Sequence, residues 1–209
     1  MTFSSYQNII IQSICAAVPK NKIENKNLRI KNINKIIKQT GIKKRRILKK
    51  NNTVNDLFKK CSQILYKDIK NINNLEWLIC VSQTADYKQP SNSYLIHSYL
   101  KLPHTVACLD LNVACSGFAY GLNVLYSLLS NKKDKYGIIL FGDSASKYID
   151  KNNSETMPLF GDAAGGVLVK KTKTNFLSSF NNMSDGSRFK SLIIKGGGYK
   201  YPFSKKKIS

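Results

Sequence analysis

The chain has 209 residues, with 34 Lys or Arg against 12 Asp or Glu, a formal charge of +22. That length suffices for a real core in one domain, or two at most, and the apolar share of 42% is that of an ordinary globular protein. No apolar run is long enough to span a bilayer, no basic-then-apolar leader opens the chain, and five scattered cysteines without a Cys-x-x-Cys pair argue against a disulfide framework or a zinc site, leaving a reducing cytoplasm as the default setting.

The charge excess is nearly all Lys, with Arg only at 29, 45, 46 and 188, and it is scattered except for the runs 43–46 and 205–207. Base and phosphate recognition favours Arg, so nucleic acid is not the expected partner.

Taken in order, residues 8–17 are apolar and β-branched and predict a strand. Leu28, Ile33, Ile36 and Ile37 predict a helix over 27–39. Thr53-Val54-Asn55-Asp56 has the form of a capping box. Behind it, Val54, Leu57, Phe58, Cys61, Ile64, Leu65 and Ile69 share one helical face. Residues 77–82 predict a short buried strand and 93–100 a helix that ends near Pro103. A strand follows over 106–111. The helix over 116–130 carries Phe118, Leu122, Val124, Leu125, Leu128 and Leu129 around so much of its surface that it is expected to be nearly buried. Further strands are expected over 137–141, 164–170 and 192–194, with an edge strand over 176–182. Alternating strands and helices predict an α/β fold with a largely parallel central sheet flanked by helices.

Cys115 carries the chemistry. It lies in Leu109-Asp110-Leu111-Asn112-Val113-Ala114-Cys115-Ser116-Gly117-Phe118, where an apolar strand feeds a cysteine, a small residue, a glycine and then a helix. A thiolate at a helix N-terminus is stabilised by unpaired amides, and a sharp elbow lifts the side chain clear of the backbone. An isolated Cys-Ser-Gly would read as a buried structural cysteine. Gly161–Gly166 lacks the Gly-Lys-Ser/Thr ending of a phosphate loop and reads as a tight turn. Gly196-Gly197-Gly198 is either a flexible turn or a place of close backbone approach. His97 and His104, the two histidines, read as ordinary helix and turn residues. Asp143 and Asp162 read as braces for turns.

The Cys115 run resembles the active-site elbow of the β-ketoacyl carrier-protein synthase III family, among the thiolase-like condensing enzymes. Five other segments resemble that family in the same order: Val18-Pro19 with Asn25; Thr40-Gly41-Ile42-Lys43-Lys44-Arg45-Arg46-Ile47; Gln83-Thr84 through Pro90-Ser91; Phe160-Gly161-Asp162-Ala163-Ala164-Gly165-Gly166; and Asp185-Gly186-Ser187. The resemblance implies a thiolase-like fold of which this chain is the N-terminal half, with residues 1–172 as the domain that carries the elbow and 173–209 as a bridging segment toward an absent C-terminal half.

It further implies that Cys115 takes an acyl group from acyl-CoA or an acyl carrier protein, its backbone amide helping to hold the oxyanion. The acyl-enzyme would then condense with malonyl carrier protein, in fatty-acid or surface-polysaccharide synthesis. It implies substrate contacts at Lys147 and Met157, a homodimer through the 106–111 strand, no resident cofactor or metal, and no role at a membrane. The family's catalytic histidine and asparagine have no match, and Lys35, Gln39 and Lys147 stand where many relatives bind adenine. The chain therefore reads as a truncated or split form that can be acylated without completing a condensation. A non-catalytic half that pairs with a second chain and a basic nucleic-acid-binding protein are the alternatives.

Overall fold

A period of two organises the centre of the computed structural model, which describes residues 2–202. Along β5 (Leu75–Val81), β7 (Tyr136–Ser144) and β8 (Asp162–Lys171), side chains alternate between two apolar layers. Leu78, Cys80, Ile138, Leu140 and Leu168 face one layer, and Ile79, Val81, Ile139, Val167 and Val169 the other. A sheet apolar on both faces must be covered on both, and here helices do so.

The five-stranded sheet has the order β2-β8-β7-β5-β6, with β2 at Ile9–Ala17 and β6 at Ala107–Leu111. β5 pairs in parallel with β6 and β7, whereas β8 pairs antiparallel with both β7 and β2. Four strands therefore run in one direction and β8 alone opposes them. The largely parallel expectation holds in direction but not in pairing, because β8 is inserted between β7 and β2. A short hairpin of β3 (Lys22–Glu24) and β4 (Lys44–Arg46) brackets α1 (Ile33–Thr40). Near the start and end of the chain, β1 (Thr2–Gln7) and β9 (Leu177–Asn182) form a two-stranded ladder.

Helix α2 (Val54–Lys67) seals one face of the sheet. Asp56 accepts the Thr53 amide at 2.9 Å in the expected capping box, and Val54, Leu57, Phe58, Cys61 and Leu65 are buried. Ile64, expected on the same stripe, is 48% exposed, so the buried stripe is narrower than its periodicity suggests. α3 (Asn92–Leu100) packs beside α2, its first amides capped by Asp110, whose carboxylate accepts from Asn92 N at 2.8 Å and Ser93 N at 2.9 Å. Helix α4 (Gly117–Leu129) covers the other face.

Three expectations change. α4 buries Leu122, Leu125, Tyr126 and Leu129 but leaves Phe118 exposed and Val124 and Leu128 half-buried, because only one side meets the sheet. The helix expected over 27–39 starts at Ile33: residues 25–27 form a 3-10 turn, and Asn32 enters α1 from the left-handed region at φ 61°. Residues 192–194 form no strand; their apolar side chains are exposed and pair with no neighbouring strand among the described residues. The chain divides into a unit of Ser4–Phe180 and a smaller unit whose described residues are 2–3 and 181–202. In the smaller unit the Gly196-Gly197-Gly198 run forms a turn, with Gly197 at φ 91° donating its amide to Tyr201 O at 2.9 Å. Of the basic tail at residues 204–209, all lies outside the described residues.

Candidate active site

Strand β6 ends at Leu111, and four residues later the chain presents Cys115. The turn is sharp. Ala114 adopts φ 50°, a left-handed conformation in which a residue with a Cβ is strained. A 3-10 turn over Ala114–Ser116 leads into α4, and the Ser116 hydroxyl closes it by donating to Val113 O at 2.8 Å. The next helical residue must sit against the sheet: a Cβ on Gly117 would lie 2.4 Å from Val81 Cγ1. Glycine there lets the helix start close to β5, which sets the thiol at the strand ends. Cys115 is exposed, alone among the five cysteines; Cys61 and Cys80 are buried, and Cys15 and Cys108 are half-buried.

Burial pushes the other four thiols up. For Cys61 the value reaches about 12, and the neighbouring Cys15 adds to the effect. Cys80 is driven well above the ordinary range by burial, helped by Asp110 and Cys108, and Cys15 and Cys108 rise for the same first reason. Those four are structural thiols in apolar surroundings.

Cys115 and Ala114 line a cavity of about 180 Å³. Val81, Ser82 and Gln83 from the end of β5, Phe118 from α4, and Phe141, Gly142 and Asp143 from β7 complete it. Ligands in open α/β sheets sit at such carboxyl ends of strands. Asp143 organises one wall: its Oδ1 accepts from the Gln83 amide at 2.7 Å, Ser82 Oγ at 3.0 Å and Thr84 Oγ1 at 3.1 Å. Thr84 Oγ1 in turn accepts the Ser144 amide at 2.9 Å. The Tyr148 phenol is pushed up by burial first, then by Asp143, Cys115 and Asp162, so it stays neutral at neutral pH.

A second polar knot ties the turn after β7 to the N-terminal hairpin. Asp162, 1% exposed, accepts from the Leu48 amide at 2.7 Å, Ser146 Oγ at 2.7 Å and the Ser146 amide at 2.9 Å. Asn25 is fully buried; its Nδ2 donates to Ile42 O and Pro158 O, both at 2.8 Å, and its Oδ1 accepts Arg45 Nε at 2.7 Å. Arg45 also donates to Phe160 O at 3.0 Å and reaches Met157 Sδ at 3.5 Å. Burial pulls its guanidinium down, and the Asp162 carboxylate opposes that.

The sequence-derived candidates thus separate. Cys115 stands in the cavity wall. Lys147 and Met157 do not line it: the Lys147 ammonium donates to Lys49 O at 2.8 Å and Lys50 O at 2.6 Å, and Met157 meets Arg45. Neither histidine lines it either, and His97 Nε2 lies 3.1 Å from Pro103 O. Asp143 and Asp162 brace turns, as their positions suggested, although Asp143 also shapes the cavity. Phe141, Phe118 and Tyr148 escaped the sequence reading as site residues. Phe141 ends the apolar run within β7, and nothing in its sequence context separates a cavity wall from a core position.

Comparison with known proteins decides the family. Residues 109–186, the elbow through the Asp185-Gly186 turn, match the family model described as 3-oxoacyl-[acyl-carrier-protein (ACP)] synthase III. A Campylobacter jejuni protein provisionally named 3-oxoacyl-[acyl-carrier-protein] synthase 3 is 34% identical over 200 residues, covering 92% of this chain and 56% of its own length. The chain belongs to the 3-oxoacyl-[acyl-carrier-protein] synthase III family. Another member, β-ketoacyl-[acyl-carrier-protein] synthase III 2 of Halalkalibacterium halodurans, is 33% identical over 192 residues, or 89% of this chain and 57% of that one.

A crystal structure of a 3-oxoacyl-(acyl-carrier protein) synthase from Burkholderia xenovorans superposes with a TM-score of 0.89 at 26% identity, over 95% of this chain and 58% of its own. The thiolase-like α/β architecture is therefore that of the family. The chain spans a little more than half the length of these relatives.

Proposed function

We propose that Cys115 accepts an acyl group from an acyl thioester, as the first half-reaction of a 3-oxoacyl-[acyl-carrier-protein] synthase III. The observation that carries this reading is the exposed thiol at a strained strand-to-helix elbow, in the wall of a cavity. The Cys115 sulfur attacks the thioester carbonyl, and the Cys115 backbone amide helps hold the oxyanion. Collapse forms the enzyme thioester, breaks the carbon–sulfur bond to CoA or the carrier thiol, and delivers the thiol proton to the leaving sulfur. Gln83, oriented by Asp143, borders the reacting centre. Lys147 and Met157 serve by bracing, the one through the Lys49 and Lys50 carbonyls and the other through Arg45.

Carbon–carbon bond formation with a malonyl carrier thioester requires donors that polarise the malonyl carbonyl. His97 and His104 lie outside the cavity lining, so the second half-reaction is assigned to groups other than these two. In this reading the chain acts as an acyltransferase in fatty-acid or related acyl synthesis, and its positive charge draws acyl-CoA or an acidic carrier protein. Strand β6, at the edge of the sheet and half-buried along its length, is the surface on which a homodimer would form. No helix among the described residues is long and apolar enough to cross a membrane.

The test is incubation with radiolabelled acetyl-CoA, followed by peptide mapping, and then addition of malonyl carrier protein. Label on the Cys115 peptide, absent in Cys115→Ala, supports the reading; label elsewhere, or none in folded protein, rejects it. Ketoacyl product from this chain alone would move the second half-reaction onto residues within it.

A further inference from the structure

We propose that Phe141 sets the length of the acyl group that the Cys115 cavity accepts, and that Gly165 keeps Phe141 in place; this rests on Cys115 being an acyl acceptor. Phe141 and Phe118 are the two largest apolar side chains in the cavity wall. Their rings pack together, with centroids 4.8 Å apart and planes tilted by 55°. Ser82, Gln83 and Asp143 give the remaining wall its polar character. One part of the cavity thus suits the thioester head and the aromatic part a hydrocarbon chain.

The Phe141 ring is fixed from behind. Phe141 pairs with Gly165 across β7 and β8. A Cβ built on Gly165 would lie 2.4 Å from Cζ and 2.5 Å from Cε2 of the ring. Gly165 lies in the middle of a regular strand, so glycine is needed there for space and not for turning. Any side chain would force the ring from its seat.

Size then gives the substrate class. The cavity measures about 180 Å³, and a dry cavity of about 150 Å³ accommodates benzene, six carbons. Phe141 therefore limits the acyl group to roughly six carbons by the same measure. Each methylene that the cavity can take is worth about 0.8 kcal/mol, roughly fourfold in affinity, and the gain stops where the ring blocks further growth.

Single-turnover acylation by acetyl-, hexanoyl- and decanoyl-CoA, read by intact mass, tests this on the native chain, Phe141→Ala, Phe141→Leu and Gly165→Ala. The native protein is expected to lose roughly tenfold between hexanoyl and decanoyl, a penalty of the size found for an overpacked site. Phe141→Ala should erase that loss, Phe141→Leu should halve it on a logarithmic scale, and Gly165→Ala should bring the loss forward to hexanoyl. A chain-length profile unchanged in folded Phe141→Ala and Phe141→Leu overturns the proposal.

A parallel series of N-ethyl, N-hexyl and N-decyl iodoacetamides alkylates Cys115 without acyl transfer. If that series follows the expected order while no CoA thioester reacts, the cavity assignment holds and the acyl-acceptor reading fails. If acyl-CoA loads with a flat profile in every variant, the acyl-acceptor reading holds and the Phe141 assignment fails.

Discussion

The two faces of the central sheet are built from the same strands by the same alternation, yet only one is closed. On the α2 side, Phe58, Leu65, Leu78, Ile138 and Leu140 are fully buried, and the thiol of Cys61 is sealed among them. On the α4 side, Leu125, Leu129 and Ile139 are equally buried near the middle of the sheet, but at the strand ends the packing opens. There Phe118 is exposed, Phe141 is half-buried and Cys115 stands free beside a cavity. Packing supplies the stability of both layers, and the site appears where the helix begins and not where it runs. Strain at Ala114 and the missing side chain at Gly117 hold that opening in shape.

The sharpest way to break this contrast is thiol chemistry. A thiol pushed up to about 12, as for Cys61, has roughly one ten-thousandth of its population as thiolate at pH 8. Iodoacetamide at that pH is expected to modify the exposed Cys115 far faster than the buried Cys61 or Cys80, as read by peptide mapping; comparable labelling in folded protein would remove the distinction between the faces. The same thiols make stability depend on pH. In the unfolded chain they ionise near their ordinary range, whereas in the folded chain they hold their protons, so the native state binds more protons above pH 9. Stability is present in full below that pH and declines above it, by at most about 1.4 kcal/mol per pH unit for each buried thiol. Urea unfolding at pH 8 and pH 10 measures the fall, and Cys61→Ser should reduce it.

Where both faces are closed they should behave alike. Leu65 and Leu125 are each fully buried, on opposite sides of the sheet. Leu65→Ala and Leu125→Ala are each expected to destabilise by about 2–5 kcal/mol, whereas truncating the exposed Phe118 should destabilise by less than about 2 kcal/mol. A Leu125→Ala effect near that of Phe118→Ala would mean that α4 is only loosely docked.

Asp162 joins the turn after β7 to the segment after the hairpin through Ser146 and Leu48. Asp162→Asn keeps the shape but turns a donor toward the Leu48 or Ser146 amide. The expected loss is about 2 kcal/mol, measured by denaturation, with Cys115 alkylation changed far less than stability.

Much of this was legible in the chain. The apolar runs over 77–82, 137–141 and 164–170 predicted three strands of the sheet, found at 75–81, 136–144 and 162–171, and Thr53 with Asp56 predicted the start of α2. Cys115 was legible because strand, small residues and helix follow one another locally. What escaped depends on distance in sequence. That β8 lies antiparallel between β7 and β2 is decided by pairing across the whole chain. Phe141 becomes a cavity wall only because Gly165, on the neighbouring strand, leaves it a seat. That Lys147 donates to the carbonyls of residues 49 and 50 is likewise not revealed by its sequence neighbours. Residues 192–194 looked like a strand because β-branched side chains favour strands, but a strand also needs a neighbour.

The smallest effect tests the sealed face at its edge. Thr53 does two things: its amide donates to Asp56 at 2.9 Å, which completes the cap of α2, and its hydroxyl donates to Asp86 at 2.9 Å. Asp86 belongs to the segment that begins with Ser82 and Gln83 in the cavity wall, so this hydroxyl links the α2 layer to the site. Thr53→Ala removes the hydroxyl and keeps the amide. A lost cap hydroxyl destabilises by about 1 kcal/mol, and thermal unfolding should show that loss. Thr53→Ser restores the hydroxyl and should restore the stability. If the 82–91 segment is held mainly by Asp143 at its near end, Cys115 alkylation in Thr53→Ala will match the native rate within about twofold, a difference worth less than 0.5 kcal/mol. A larger change would show that the closed face governs the open one through Asp86, and the two layers would then have to be treated as one unit.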